Sequence, residues 1–403
     1  MICKLPVLTG IINAPTLRSD GSILDESGYD SISGLLFFPG GYTFEKISFQ
    51  PTLQDALVAK AELLYVLKDF SFEDEASKSV AVAAILTALV RKSIATAPLF
   101  GFTAPKMASG KSLIADVIAL IAIGKANSVI AQADNETEEK KRIIALLIEG
   151  DPIICYDNVE KPFRSAALCS ILTQHEYKDR LLGGNETRTV LTNATFLVTG
   201  NNLVFMGDIS TRSLLCKLDP QIEHPEERSF EINLREYVPA HRARLVNAGL
   251  TILRAYLVAG KPIQNIKPFG RFEDWNWIRS AIVWLGMTDP CESRKDIENS
   301  DPIRILISSL FAAWYTVFGD RPIKLKELVD RESSITDNTD KEMSSLLQET
   351  LLELAADSKG KINQRSLAKK LAQYKKRIEN GLRLEQCGTH QGTSLWRVKK
   401  VNK

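Results

Sequence analysis

The sequence predicts an α/β fold in which helices cover both faces of a parallel sheet. Two observations support this class. Between residues 93 and 234, short apolar runs alternate with helical segments, which is typical of a parallel sheet. The first run also leads into the loop Ala104-Pro-Lys-Met-Ala-Ser-Gly-Lys-Ser112, and an apolar helical stretch follows that loop. A loop between a strand and the start of a helix commonly binds phosphate groups.

The hydrophobic spacing predicts the elements in chain order. Residues 1–50 are rich in Gly, Pro, Ser and Asp, so we expect a loop-rich lead-in. The pattern then predicts helices 53–68 and 74–92, strand 96–102, helix 112–123, strand 128–131, helix 136–149, strand 152–156, helix 163–174, a hairpin around Gly183-Gly184 and strand 194–199. Residues 235–320 are expected to be mostly helical around Trp275, Trp277, Trp284 and Trp314, and the chain to end in helix 364–376 and hairpin 382–401.

Composition excludes several classes of protein. Hydrophobic residues make up 44% and charged residues 25% of the 403, as in ordinary soluble proteins. The six cysteines are scattered and there are four histidines, which argues against a zinc site or a disulfide framework and favours a reducing, cytoplasmic compartment. No signal peptide opens the chain, and the most apolar segment, Val80 to Val90, is too short to span a bilayer.

Charge is distributed unevenly along the chain. Residues 359–403 carry a net charge of +11, whereas the rest carries −9. We therefore predict four parts, with a lead-in and helical collar (1–92), an α/β core (93–234), a helical bundle (235–330) and a basic domain (340–403). A basic terminal module favours nucleic-acid binding, and its candidate contacts are Lys369, Lys370, Lys375, Lys376 and Arg377. The alternative is a solvated basic tail.

The loop before the helix has the chemistry of a nucleotide site. Gly110 lets backbone N–H groups approach phosphates, Lys111 can reach the β and γ oxygens of ATP, and Ser112 offers a hydroxyl to Mg²⁺. Pro105 stands where the full motif has its first glycine, so a chance Gly-Lys-Ser is the alternative. The expected nucleotide contacts are Ala108, Ser109, Gly110, Lys111, Ser112 and Leu113.

An acidic motif follows the phosphate-binding loop, at the end of a later apolar strand. The apolar run that begins at Ile153 ends in Asp157 and Asn158, and the Asp157 carboxylate would hold Mg²⁺ together with Ser112. By itself such an aspartate is more often a cap or a turn residue. Asn158 is assigned to the site with it, and the acid that orients the attacking water is sought among Glu160, Glu138 and Glu139.

Two further polar positions complete the predicted site. Asn201 ends the next strand, where an amide can hold the attacking water or touch the γ-phosphate; the alternative is a simple Gly-Asn turn. Arg212 precedes a strand, where it could reach a neighbouring subunit's nucleotide and stabilise the transition state. The alternative for Arg212 is a salt bridge to Asp208 or Asp219.

The hairpin between these motifs is basic. Lys178, Arg180 and Arg188 flank its turn, so the hairpin could contact DNA phosphates from inside a central pore. Equally, Arg180 could be a structural partner of Glu186.

The motifs together resemble the helicase part of phage and prophage primase–helicases, which are AAA+ ATPases close to helicase superfamily 3 and more distantly similar to poxvirus D5-type NTPases. The resemblance covers residues 5–400. It rests on Leu8-Thr-Gly10, Ala14-Pro-Thr-Leu-Arg18, Ala97-Pro-Leu-Phe100, Gly110-Lys-Ser112, Asp157-Asn158, Arg180-Leu-Leu-Gly183, Thr199-Gly-Asn-Asn202, Arg212, Leu215-Cys-Lys-Leu-Asp-Pro220, Trp284-Leu-Gly-Met-Thr-Asp-Pro290, Gly381-Leu-Arg-Leu384, Gly388, Gly392 and Leu395-Trp-Arg397.

This resemblance implies an AAA+ core, a C-terminal winged-helix domain, and an ATP- and Mg²⁺-dependent ring, hexameric in the family, that moves on single-stranded DNA and unwinds duplex DNA during replication of a mobile element. No primase-like segment precedes residue 1, so we expect a helicase whose primase is a separate partner or was cut from a longer product. Two alternatives remain open: an initiator or loader ATPase without processive unwinding, and a DNA-binding protein whose ATPase has lapsed.

Overall fold

The chain divides into two compact units, residues 1–297 and 298–403. The structure is a computed structural model that describes residues 6–180, 187–329, 338–357 and 359–401, without the side chains of Arg180 and 338–341. The two units are the only division that the compactness of the described residues supports. The division into four parts stays a prediction. Among the described residues, no helix combines the length and the apolar character needed to cross a membrane.

The first unit begins with short strands and two helices. Their bounds are β1 Gly10–Ile12, β2 Thr16–Leu17, β3 Ile23–Leu24, β4 Gly28–Tyr29, β5 Leu35–Phe37, α1 Leu53–Val66 and α2 Glu75–Val90. Both predicted helices are confirmed. Each begins at a side-chain cap: Thr52 and Asp55 form a reciprocal capping box, and the Asp74 side chain accepts a hydrogen bond from the Ser77 N–H. Helix α2 is buried along almost its whole length.

In the part of the chain that the structure describes, the central sheet has five strands, all parallel. The elements of this region are β6 Leu99–Ala104, α3 Lys111–Ile123, β7 Ser128–Ile130, α4 Glu136–Glu149, β8 Ile153–Val159, α5 Ala166–Ile171, β9 Glu176–Arg180, β10 Thr187–Leu191, β11 Thr195–Asn201 and β12 Ser213–Lys217. The strand order is β12-β6-β11-β8-β7, whereas β9 and β10 form a separate antiparallel pair. Since β11 lies between β6 and β8, the carboxyl ends of all three strands meet at one edge, which confirms the predicted α/β class.

Several predicted elements have different bounds, and two of them show the physical cause. The strand expected at 96–102 starts only at Leu99, after Pro98, where its pairing with Ser213 begins. The helix expected at 163–174 is shorter, Ala166–Ile171. Ser165 caps its first turn, and Phe163 instead donates its N–H to Val204 O at 2.7 Å. The predicted first helical turn therefore does not form, because Phe163 pairs with the distant Val204.

Helices α6 Leu234–Ala240, α7 Arg242–Val258, α8 Asn276–Trp284 and α9 Arg294–Ser300 follow. The buried Arg242 donates to Ile121 O at 3.0 Å and Ala122 O at 3.1 Å, so a cation covers the C-terminal end of α3, where the helix dipole is negative. Trp275 is fully buried, and Trp277 and Trp284 pack against the same core half-buried.

The described residues of the second unit form four helices and a four-stranded antiparallel sheet. Its elements are α10 Pro302–Phe318, β13 Ile323–Lys324, α11 Leu325–Val329, α12 Asn338–Ala355, α13 Gln364–Gln373, β14 Ile378–Glu379, β15 Leu382–His390 and β16 Thr393–Lys400. The strand order is β13-β16-β15-β14, and Trp314 and Trp396 lie in its core. The predicted hairpin 382–401 is confirmed. The helix expected to reach 376 ends at Gln373, and Lys376 takes a positive φ of 69°.

Candidate functional site

The start of α3 is built as an anion site. Gly110 caps the helix in a left-handed conformation, φ 94°, and Ala108 is also left-handed at φ 57°. No side chain in the described part of the chain caps the first N–H groups of this thirteen-residue helix. Those N–H groups and the positive end of the helix dipole are therefore available to a phosphate.

Lys111 is held beneath this loop. Its side chain is buried, and Nζ donates to Lys106 O at 2.8 Å. Burial lowers the pKa of Lys111, while the negative charge of Asp157 opposes that effect. The Lys111 ammonium has only a neutral carbonyl as its hydrogen-bond acceptor among the described residues, so a phosphate oxygen would be a stronger partner.

The Asp157 carboxylate accepts hydrogen bonds from hydroxyl groups on two neighbouring elements. Ser112 Oγ donates to Asp157 Oδ1 at 2.9 Å, and Thr199 Oγ1 donates to the same oxygen at 2.5 Å. Ser112 is exposed and Asp157 half-buried, so a ligand can reach both. A carboxylate and a hydroxyl suit Mg²⁺, which takes oxygen ligands and fills its other positions with water and substrate phosphates.

Thr199 was not predicted as a site residue from the sequence. Its hydroxyl also accepts the Asn158 N–H at 3.0 Å, so one threonine positions two residues at the end of β8. A hydroxyl residue two positions before Asn201, on the strand beside Asp157, was the only signal available.

The Thr199 hydroxyl gives a direct prediction. We expect Thr199→Val to raise the Mg²⁺ concentration needed for half-maximal ATP hydrolysis by about 10-fold, because groups that orient a metal ligand typically matter by 10- to 100-fold. Thr195→Val is the matched control: it lies on the same strand, and its buried hydroxyl has no hydrogen-bond partner among the described residues. Equal Mg²⁺ requirements in both variants would contradict the assignment.

A glycine sets the spacing of β8 and β11 at this point. The strand register shifts between Val198 and Gly200, and a Cβ on Gly200 would lie 2.4 Å from Val159 O. Any side chain would therefore force the two strands apart. Asn201 follows directly, and its Oδ1 is buried with no hydrogen-bond partner among the described residues. A buried amide oxygen in that state can accept a hydrogen bond from a bound water.

Arg212 lies just before β12, the edge strand next to β6. It is 4% exposed, its Nη1 donates to Asp208 O at 2.7 Å, and it forms an ion pair with the Asp208 carboxylate at 3.2 Å. Of the two acids suggested by the sequence, the structure thus brings Asp208 to Arg212. Its Nε is buried without a partner among the described residues.

An acidic cleft of about 540 Å³ opens beside Asp157, and its lining includes Asn158, Glu139 and Glu160. Glu139 is 5% exposed and accepts from Tyr156 Oη at 3.0 Å. Burial raises the pKa of Glu139, although hydrogen bonds from Ser165 and Tyr156 oppose this. The Asn158 amide donates to Glu160 at 3.3 Å.

Glu138 points elsewhere, because it pairs with Arg142 along the surface of α4. Of the three acids considered for orienting water, Glu139 and Glu160 therefore line the cleft.

The basic hairpin is attached to α4. Lys178 on β9 and Arg188 on β10 are exposed, whereas Asp179 forms an ion pair with Lys140 of α4 at 2.5 Å. Lys140 also lies 6.0 Å from the ring of Tyr177. The Arg180 side chain, Gly183-Gly184 and Glu186 lie outside the described residues, so both interpretations of Arg180 stay predictions.

The predicted cations of the second unit fall into two groups. Lys369 and Lys370 are exposed on α13, whose opposite face buries Leu367 and Leu371. The exposed Lys376 follows this helix, and Lys375 donates to Gln386 at 2.9 Å. Arg377 is engaged in an ion pair with the buried Glu379 at 2.7 Å, which makes it a structural residue of this unit.

Comparison with known proteins adds distant structural likenesses. The chain matches no protein-family model, and no curated protein is detectably similar to it. It is similar to the A form apo structure of the NrS-1 C-terminal region (11% identity, TM-score 0.42, covering 91% of this chain and 80% of that chain). It is also similar to SCCmec type IV Cch, described as an active helicase (12%, 0.38, 99% and 80%), and to JCV helicase (14%, 0.28, 62% and 74%). At these TM-scores the likenesses decide neither the fold nor the function, which rest on the geometry above.

Proposed function

We propose that the chain is an ATP- and Mg²⁺-dependent DNA helicase of the superfamily 3-like AAA+ type, which assembles as a ring, hexameric by the family resemblance, and acts in the replication of a phage, prophage or other mobile element. One observation carries the proposal: Ser112 and Thr199 converge on Asp157 beside the start of α3, whose first N–H groups are not capped by any described side chain. Three elements distant in sequence thus supply hydroxyl, carboxylate and N–H groups at one sheet edge, as hydrolysis of a metal-bound nucleoside triphosphate requires.

Each residue of the site then has a specific task. The α3 N–H groups and Lys111 bind the phosphates, and Ser112 and Asp157 would hold Mg²⁺, which supplies positive charge where negative charge develops. Asn201 orients the attacking water through its buried amide oxygen, with Glu139 or Glu160 as the nearby acid. Helix α4 places Glu139 so that burial keeps its proton affinity high.

Two basic surfaces support DNA as the partner. Lys178 and Arg188 lie exposed on opposite faces of a hairpin that is attached to α4 through Asp179, close to its turn. The second unit combines an amphipathic helix that exposes Lys369 and Lys370 with the long hairpin of β15 and β16. We propose that this unit is a winged-helix domain, with α13 presented to the DNA and the hairpin as the wing.

The deciding experiment is strand displacement on a forked DNA, measured together with ATP hydrolysis. A helicase hydrolyses ATP faster with single-stranded DNA and separates the fork. DNA-stimulated hydrolysis without separation would instead show an initiator or loader, and DNA binding without hydrolysis would show a lapsed ATPase. Either of these results overturns the helicase assignment.

The basic face of α13 gives a second prediction. Deleting this region would remove core residues such as Leu367 and Trp396, so charge removal is the cleaner test. We expect Lys369→Gln with Lys370→Gln to reduce the slope of log affinity against log salt for duplex DNA by about 1 to 2, since each phosphate contact contributes about 0.9. Lys295→Gln, an exposed lysine of the first unit paired with Glu292, should leave the slope unchanged.

A further inference from the structure

A second cavity, of about 410 Å³, lies at the base of the basic hairpin and away from the nucleotide site. The lining comes from the N-terminal segment, the end of α4, the turn after α2 and strand β10. Its polar and charged lining residues are Thr9, Lys92, Glu149, Arg188, Thr189 and Asn193. Two of these are cations and one is an acid.

Within the described residues, the two cations of this cavity form no ion pair. Lys92 Nζ donates to Asn193 Oδ1 at 2.8 Å, and neither Lys92 nor Arg188 forms an ion pair with any residue that the structure describes. The neighbouring Arg91 is buried, and its guanidinium donates only to the backbone carbonyls of Ala194, Ile94 and Thr192. Among the described residues, Lys92 and Arg91 therefore have neutral oxygens as their hydrogen-bond acceptors, and Glu149 is the one acid in the lining.

Such an arrangement favours an anion. A half-buried ammonium that has only neutral acceptors loses hydration without gaining a charged partner, and an anion in the cavity would supply that partner. Arg188 adds a planar guanidinium, which binds phosphate oxygens in a bidentate manner. A phosphate carries the matching charge and acceptors.

We propose that this cavity binds a phosphate of the nucleic-acid backbone, so that a strand passing the exposed Arg188 is held in the cavity by Lys92. The inference rests on the proposed function, because it assigns part of the DNA path. Continuity favours a strand over a free ion, since Arg188 lines the cavity and also lies exposed on the hairpin surface.

The site has a characteristic pH dependence. Burial and the nearby charge of Arg91 lower the pKa of Lys92 to about 8, so Lys92 is mostly charged at pH 7 and loses its charge as the pH rises through 8. A bound phosphate favours the charged form, and affinity should therefore fall between pH 7 and 9. Besides Arg91, the charged and titratable groups that line the two cavities touching Lys92 are Glu149, Arg188, Arg18, Asp20, His175, Lys261, Glu273 and Asp274.

The test measures binding of a fluorescent oligothymidylate by anisotropy, without ATP, at several salt concentrations and at pH 7.5 and 9. We expect Lys92→Met to reduce the salt slope by about 1 and to weaken binding a few-fold at moderate salt. Lys92→Arg should keep the wild-type slope at pH 7.5 and lose the fall in affinity at pH 9, because arginine stays charged. Lys261→Met, a cation of the adjoining cavity, should behave like wild type in slope and in pH profile.

Two outcomes would overturn the inference. If wild-type protein binds the oligonucleotide but Lys92→Met keeps both its salt slope and its pH profile, the cavity holds no DNA phosphate, and the helicase proposal is untouched. If inorganic phosphate protects wild type but not Lys92→Met against thermal unfolding, while the DNA slope is equal in both, the ligand is a free phosphate. Failure of wild-type protein to bind DNA at all would instead count against the proposed function.

Discussion

Lys111→Ala is expected to abolish ATP turnover while the fold survives. The Lys111 ammonium supplies the positive side-chain charge at the start of α3. Its only hydrogen-bond acceptor among the described residues is the neutral Lys106 O, so the alanine variant leaves no charge without its partner. Without Lys111 the transferring phosphoryl group loses its main protein cation. The measurement is steady-state ATP hydrolysis with DNA present, alongside circular dichroism to confirm folding.

Lys106→Ala is the matched control for this prediction. Lys106 lies in the same loop but is exposed, and its Nζ donates to Glu223 O at 3.0 Å. The alanine variant keeps the Lys106 carbonyl that Lys111 contacts, so hydrolysis should stay within a few-fold of wild type. Unchanged ATPase rates in Lys111→Ala would refute the nucleotide site.

Arg212→Ala is expected to lower the rate of hydrolysis by roughly 10³-fold or more, if an arginine supplied across a subunit boundary stabilises the transition state. Arg212 lies before the edge strand β12, and an edge is where a neighbouring subunit can approach. Mixing Arg212→Ala with Lys111→Ala subunits tests this, because some interfaces in a mixed ring pair an intact loop with an intact arginine. Trans action predicts partial recovery of ATP hydrolysis.

Asp208→Asn separates this role from a structural one. The aspartate forms the ion pair with Arg212 at 3.2 Å, and its substitution leaves the guanidinium in place. If Arg212 acts on a nucleotide, Asp208→Asn keeps most of the activity. If Arg212 serves only its own segment, both variants should lose activity alike, and mixed rings that demonstrably co-assemble should stay inactive.

Local sequence signals predicted the bounds of an element best where capping residues mark its start and its end. Helix α4 has the predicted bounds because Asn135 caps its start and Gly150 ends it at φ 80°. The order of the motifs placed Ser112, Asp157 and Asn201 at one sheet edge, and the structure brings Ser112 and Asp157 into contact. Their catalytic roles stay predictions.

Contacts between distant segments could not be predicted in this way. The Thr199–Asp157 hydrogen bond joins residues 42 apart and the Lys92–Asn193 bond residues 101 apart, and both depend on how strands pack. The burial of Arg91 and Arg242 follows from the same packing. A charge count along the chain also could not show that Arg377 is paired internally, whereas Lys369 is exposed to solvent.

Helix α4 connects the carboxylate cleft and the basic hairpin through two adjacent residues. Glu139, which accepts from Tyr156 beside Asp157, and Lys140, which pairs with Asp179 of the hairpin, are consecutive residues. On a helix such residues point about 100° apart and at nearly the same height along the axis. Turning α4 as a rigid body therefore displaces both contacts at once, so a single rotational degree of freedom relates the position of the hairpin to the environment of the carboxylate cleft.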